Sequence, residues 1–325
     1  MNLHEDRDVY IEFIQAAAEH LSMPEIYIEK DYWVTYVLLN LSRSDFIGQL
    51  IFKGGTSLSK AHKIISRFSE DVDLAAHVVG FSANKVRNYI REAESVIAAG
   101  LTYIPGRPGE SKHGTFRKTW HEYPRLIEGD FAQASPDLLL EINAFTTPEP
   151  FTLMPVQTLI AEYLCLMERY DLVEKYGLGA FQVNVLNVER TVAEKIMSLV
   201  RASREQDADA ELKAKIRHIY DLCLIRRQEN YSGIFEGERL LSMLAIVEAA
   251  DRQQFRGAGD WLDIAIHQAT IFADAEQTWQ NIRGEFHTRF APLVYDGKLP
   301  KDEEVIGMLS AVHALLVNYT PPVQG

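Results

Sequence analysis

The sequence predicts an α+β fold: a small mixed β-sheet with flanking helices over about residues 1–150, then a helical half over 151–325. Two observations carry this. Short apolar runs with strand spacing, at 50–54, 70–78 and 137–145, lie far apart in the first half with helical patterns between them. From about residue 156 onward, apolar residues recur mostly at helical spacing. Strands so separated suit a small mixed sheet better than a doubly wound one. No Pro/Gly/Ser-rich linker parts the halves, and a cleft closed by the helical half is the expected place for a ligand.

The elements follow in order. Residues 6–21 place Val9, Phe13 and Ala17 on one helical face, and a second helix is expected over 25–42. "LIFKG", 50–54, reads as a short buried strand that ends in glycine. A helix over 56–65 places Leu58, Ala61, Ile64 and Ile65 together. "EDVDLAAHV", 70–78, alternates acid with apolar residue, the period of a strand with one polar face. Ser82 is the expected cap, and Gly100 the stop, of a helix over 82–100. A hairpin with a long connection is expected over 101–124, a strand over 137–145 and a proline-bearing crossing segment over 146–155. Helices are then expected at 156–170, 188–204, 208–227, 236–252, 259–281 and 302–317.

Composition narrows the class. With 47% hydrophobic and 24% charged residues, the 325-residue chain has the makeup of a soluble globular protein with a sizeable core. A net charge of −13 argues against a broad basic face for nucleic acid but permits a local groove. The best such patch is "RPGESKHGTFRKTWHEYPR", 107–125, where Phe116, Trp120 and Tyr123 lie among basic residues; an amphipathic hairpin has the same composition. Cys165 and Cys223 lack metal or CxxC spacing and are expected as buried small side chains in a reducing compartment. The first residues are charged and no apolar run nears the roughly 20 residues of a membrane span, so the expected location is cytoplasmic, away from membranes.

The chemistry is expected at two carboxylates. Asp71 and Asp73, two apart on a strand, leave the same face about 7 Å apart. Such a pair suits one or two divalent ions, Mg²⁺ or Mn²⁺, shared with substrate phosphates. Glu70 falls on the opposite face. Glu141, alone in the apolar "LLLEINAF", is the candidate third metal carboxylate, with Asp137 in reserve; an edge-strand glutamate facing solvent is the other reading. Gly54 and Gly55 allow close backbone approach before a helix start, where phosphate is favoured, and Thr56 or Ser57 adds a hydroxyl. This is neither a Walker loop nor G-x-G-x-x-G. Arg67 and Ser69 flank the acids, Arg67 as a counter-ion or a phosphate contact. Lys30 and Asp31 either pack against the site or form a solvent-exposed turn. In the helical half, Lys195 beside an apolar stripe is either a snorkelling lysine or a cation for a triphosphate. Arg217 and Asp221, four apart, could form a helix-face ion pair.

The stretch "FKGGTSLSKAHKIISRFSEDVDL" resembles the polymerase-β-type nucleotidyltransferase motif: an apolar strand, Gly-Gly, a helix, then Asp-x-Asp. The Arg-Phe-Ser before the acids is similar to the AbiEii/AbiGii toxin family of nucleotidyltransferases from abortive-infection and toxin–antitoxin systems. "IEKDYWVTYVLLNL", "NVERTVAEKIMSLV" and "KIRHIYDLCLI" resemble further segments of that family, and the likeness spans about residues 10–225. It implies a metal-dependent enzyme that moves a nucleoside monophosphate from an NTP to an acceptor hydroxyl, with a tRNA 3′ end as candidate acceptor and a cognate antitoxin as partner. A protein or small-molecule acceptor, and a non-catalytic nucleotide-binding relative, are the alternatives. The likeness makes Asp71, Asp73, Glu141, Lys195 and Asp221 catalytic-site candidates. Gly54, Gly55, Thr56, Ser57, Arg67, Ser69, Lys195 and Arg217 become nucleotide-binding candidates. His218 stands where the family often has an Asp.

Overall fold

A computed structural model of the protein describes residues 1–131, 134–254 and 263–321. The chain divides into two compact units, Met1–Leu186 and Asn187–Gly325. No helix among the described residues is long and apolar enough to cross a membrane.

The first unit begins with α1 (Arg7–Leu21) and α2 (Glu25–Ser42), then β1 (Leu50–Lys53), α3 (Gly54–Lys60), β2 (Val72–Ala76) and α4 (Ala83–Ile97). After these come β3 (Thr102–Ile104), β4 (Ser111–His113), β5 (Phe116–Glu122), β6 (Leu138–Asn143), β7 (Phe151–Val156), α5 (Leu159–Leu166), α6 (Tyr170–Lys175) and β8 (Phe181–Leu186). Ser82 caps α4 as expected, its Oγ accepting from the Lys85 N–H at 3.4 Å.

All eight strands form one mixed sheet in the order β3-β5-β6-β2-β1-β8-β7, with β4 also on β5. β2 runs parallel to β6 and antiparallel to β1, whereas β1 runs parallel to β8. Burial alternates along β6: Leu138, Leu140 and Ile142 are buried, while Leu139, Glu141 and Asn143 are half-buried. The buried face packs on α2 and α4. There Arg117 of β5 pairs with Glu94 of α4, and Tyr123 stacks on Trp33 of α2. The other face carries the polar rows.

The sheet is mixed as expected, yet larger. The segment expected to cross at 146–155 contains most of β7, and β8 adds a strand between the helices expected at 156–170 and 188–204, where none was expected. β7 is an edge strand, where Pro155 costs no ladder hydrogen bond. β8, "FQVNVL", has plain two-residue alternation, a signal legible beforehand. The helix expected over 56–65 instead starts at Gly54 and ends at Lys60, with Lys63 in the left-handed region at φ +55°. The one expected over 156–170 ends at Leu166, just before left-handed Glu168.

"EKD" in α2 is a buried polar hub, not a solvent-exposed turn. Glu29, Lys30 and Asp31 are 0, 0 and 8% exposed. Glu29 accepts from the backbone N–H groups of Leu126 and Ile127, at 2.6 and 3.1 Å. Lys30 donates to the carbonyls of Ser135 and Asp137. Asp31 pairs with Lys60 of α3 and accepts from the Leu159 N–H at the start of α5. Three neighbouring charges on one helix thus pin α3, α5 and the approach to β6. Burial of Glu29 also raises its pKa above the usual carboxylate range.

The second unit is helical: α7 (Val188–Ala202), α8 (Ala208–Ala214), α9 (Ile216–Arg227), α10 (Glu229–Ser232), α11 (Glu238–Gln254), α12 (Thr270–Ala273), α13 (Ala275–Glu285) and α14 (Asp302–Val317). The helix expected over 208–227 is broken at Lys215, and part of that expected over 259–281 lies outside the described residues. Val192, Ile196 and Leu199 of α7 are fully buried, as the apolar stripe required. Cys223 is buried as expected, whereas Cys165 is only half-buried.

Candidate active site

The site of the first unit is built on strand register. Lys118 of β5 lies opposite Glu141 of β6, Glu141 opposite Asp73 of β2, and Asp73 opposite Lys53 of β1. Residues paired in register share a face, so four adjacent strands carry one row with signs plus, minus, minus, plus. Asp71, two residues before Asp73, extends the acidic patch at the strand entrance. Glu141 is on a central strand, which excludes the edge-strand reading.

Two adjacent acids at the centre of that row repel each other. Asp73 is pushed up to about 8, first by burial, then by Glu141 and Asp71, against the opposing pull of Lys53 and Lys118. Lys118 Nζ stands 2.6 Å from Glu141 Oε1 and is the direct counter-ion. Sequence reasoning missed this lysine as a site residue, although its alternation with Phe116 and Trp120 placed all three on one strand face.

The glycine pair has a steric cause. Gly54 adopts φ +78°, and a Cβ there would collide with Asp73 Oδ2. A Cβ on Gly55 would collide with the guanidinium of Arg67, which is 3% exposed and donates to the Phe68 carbonyl at 3.1 Å. A Cβ at either position therefore requires the carboxylate or the guanidinium against which α3 starts to shift. Thr56 Oγ1 and Ser69 Oγ lie 2.9 Å apart and tie α3 to the approach to β2. Ser57 is buried, and its hydroxyl donates back to the Gly54 carbonyl at 2.9 Å. Glu70 is also buried and accepts from the Ser135 N–H at 3.4 Å. Asp137 is committed to Arg107 and Arg125.

Gly54→Ala tests this steric argument. The positive φ alone costs roughly 1–2 kcal/mol. Gly80 has φ +80° and nothing within 4 Å of where a Cβ would stand, so Gly80→Ala carries that cost only. Gly54→Ala is expected to lower the melting temperature further than Gly80→Ala. It should also cut transfer about a hundredfold, since a displacement of about 1 Å is enough for that. Equal effects of the two variants on both readouts refute the collision with Asp73.

In the second unit, α7 and α9 bring together Lys195 and Asp221. Lys195 Nζ donates to Asp221 Oδ2 at 2.7 Å and lies 3.4 Å from His218 Nδ1. Lys195 is 5% and Asp221 0% exposed. The lysine is therefore held rigidly rather than snorkelling into solvent, and Asp221 and His218 fix its ammonium group. Arg217, next along α9, is half-buried.

Among the described residues, no three His, Cys, Asp or Glu side chains form a ready-made metal cage. The donor set nonetheless fits a divalent cation that arrives with phosphate. Mg²⁺ ordinarily takes one or two carboxylates and completes its shell with water and phosphate oxygens. The repulsion that raises Asp73 is the charge imbalance such an ion relieves.

A mixed sheet with paired acids beside a glycine turn and helix is the arrangement that the sequence motif implies. The AbiEii profile, described as a nucleotidyl transferase toxin of a type IV toxin–antitoxin system, matches residues 36–304. The chain belongs to that family and is a nucleotidyltransferase toxin. A similar solved structure is MenT4, a nucleotidyltransferase toxin from Mycobacterium tuberculosis H37Rv. It has 17% identity and a TM-score of 0.53, over 94% of this chain and 99% of that one, and shares the fold. No curated protein sequence matches the chain. Family membership implies an NTP substrate and a cognate antitoxin.

Proposed function

We propose that the protein transfers a nucleoside monophosphate from an NTP to an acceptor hydroxyl, with Mg²⁺ or Mn²⁺, and that the acceptor is the 3′ end of a tRNA in the cytoplasm. The observation that carries the reading is the row Lys118–Glu141–Asp73–Lys53 with Asp71 beside it. A divalent cation supplies charge neutralisation to the phosphates and an activated acceptor oxygen. Asp71 and Asp73 are the residues that hold it, with Glu141 as third ligand and proton acceptor for the attacking hydroxyl. The backbone at Gly54 and Gly55 approaches the phosphates, with Thr56, Ser57, Arg67 and Ser69 in support. Lys195, oriented by Asp221, is the cation for the triphosphate, and Arg217 a second phosphate contact.

The test incubates the protein with Mg²⁺, each labelled NTP and total tRNA. Label on tRNA that disappears with Asp71→Ala is the expected result. Label on protein instead overturns the tRNA acceptor. No transfer, together with no NTP-induced rise in melting temperature, overturns the enzyme reading for this site.

A further inference from the structure

The sheet face of Glu141 and Asp73 carries more than acids. On β5, Phe116, Lys118 and Trp120 alternate and so share the face of Glu141 and Asp73. All three are half-buried and reachable from solvent. Lys118 Nζ lies 2.6 Å from Glu141 and 5.6 Å from the centroid of the Trp120 ring. By register, Ile104 of β3 and Leu139 of β6 flank Trp120 on either side. The turn between β3 and β4 passes its edge with Gly109, where a Cβ would stand 3.8 Å from the ring. An indole on an apolar floor, with an ammonium at one side and bare backbone at the other, has the shape of a base-stacking slot.

Lys118 supplies the charge beside the slot: an ammonium next to the indole is the group that a phosphate adjoining a stacked base would meet.

We propose that Trp120 and Lys118 form the acceptor subsite, in which the terminal base of a single-stranded nucleic acid stacks on Trp120. Its adjoining phosphate meets Lys118, which sets the 3′ hydroxyl on the sheet face that carries Glu141 and Asp73. The subsite rests on the transfer reaction proposed above and assigns the acceptor's place in it.

The experiment titrates a fluorescein-labelled short single-stranded RNA with a free 3′ hydroxyl into the full chain, with Mg²⁺ and a non-hydrolysable NTP analogue, and reads anisotropy. Trp120→Ala is expected to weaken RNA binding about tenfold, the range of base–aromatic stacking. Trp120→Phe should recover most of it. Lys118→Ala should lower the salt dependence of RNA binding by about one phosphate contact. NTP-induced thermal stabilisation, measured on the same variants, reports the nucleotide site separately. RNA binding by Trp120→Ala at the wild-type level overturns the subsite, as does equal loss of RNA and NTP binding. A wild-type chain that is stabilised by NTP but binds no RNA, or labels a protein, also overturns it while leaving the transferase reading intact.

Discussion

Asp73→Asn is expected to lower nucleotidyl transfer by roughly three orders of magnitude, the scale of losing a preorganised charge at a phosphoryl centre. The same change is expected to raise the melting temperature of the metal-free protein. The sign follows from proton counting. Asp73 ionises near 3.8 in an unfolded chain and near 8 in the folded one. Between those values the folded state holds a proton the unfolded state has lost, so stability falls as pH rises. Asparagine has no such slope. Its stability advantage should vanish below about pH 4 and be largest at pH 8, where the wild-type acid is forced to ionise beside Glu141 and Asp71. A divalent cation selects the ionised acid, so stabilisation by Mg²⁺ or Mn²⁺ should grow from pH 6 to 8 in the wild type and be much smaller in the variant. Wild-type turnover by Asp73→Asn, or a lower metal-free melting temperature at pH 8, contradicts this account. The acid pair is a local cost in stability that the proposed metal-binding role accounts for.

Asp31→Ala is expected to destabilise the chain by about 3–5 kcal/mol, because it strands a buried ammonium. Lys60 is 5% exposed and its partner is Asp31, which also holds the Leu159 N–H at 2.8 Å. In a unit of this size each kcal/mol shifts the melting temperature by about 2–4 °C, so the loss should be plain in a thermal scan. The double variant Asp31→Leu, Lys60→Met removes both charges and should recover most of the loss, since apolar replacement of a buried pair is often neutral. If Asp31→Ala melts as the wild type does, the hub does not hold α3 in place.

Much of the candidate site was legible locally. The Asp-x-Asp spacing, the glycine pair and Glu141 in an apolar run are patterns of a few residues, and strand periodicity alone fixes which side chains share a face. Lys195 was open between a surface lysine and a held cation, because its partner lies 26 positions away on another helix. Lys118 was seen only as part of a basic patch. β5 had to pair with β6 before the lysine and Glu141 could meet, and no local signal sets that register. "EKD" reads as surface because three charges in a row ordinarily are; their burial is offset by partners at positions 60, 126, 127, 135, 137 and 159.

The sequence by itself determined the acids, the glycine turn, most helices and the family. Tertiary structure decided which charges neutralise one another, what a Cβ on either glycine would meet, and which lysine stands against Glu141. The physical reason is range. Backbone propensity and side-chain periodicity act within a few residues, whereas electrostatic pairing and steric exclusion depend on strands brought side by side from distant parts of the chain.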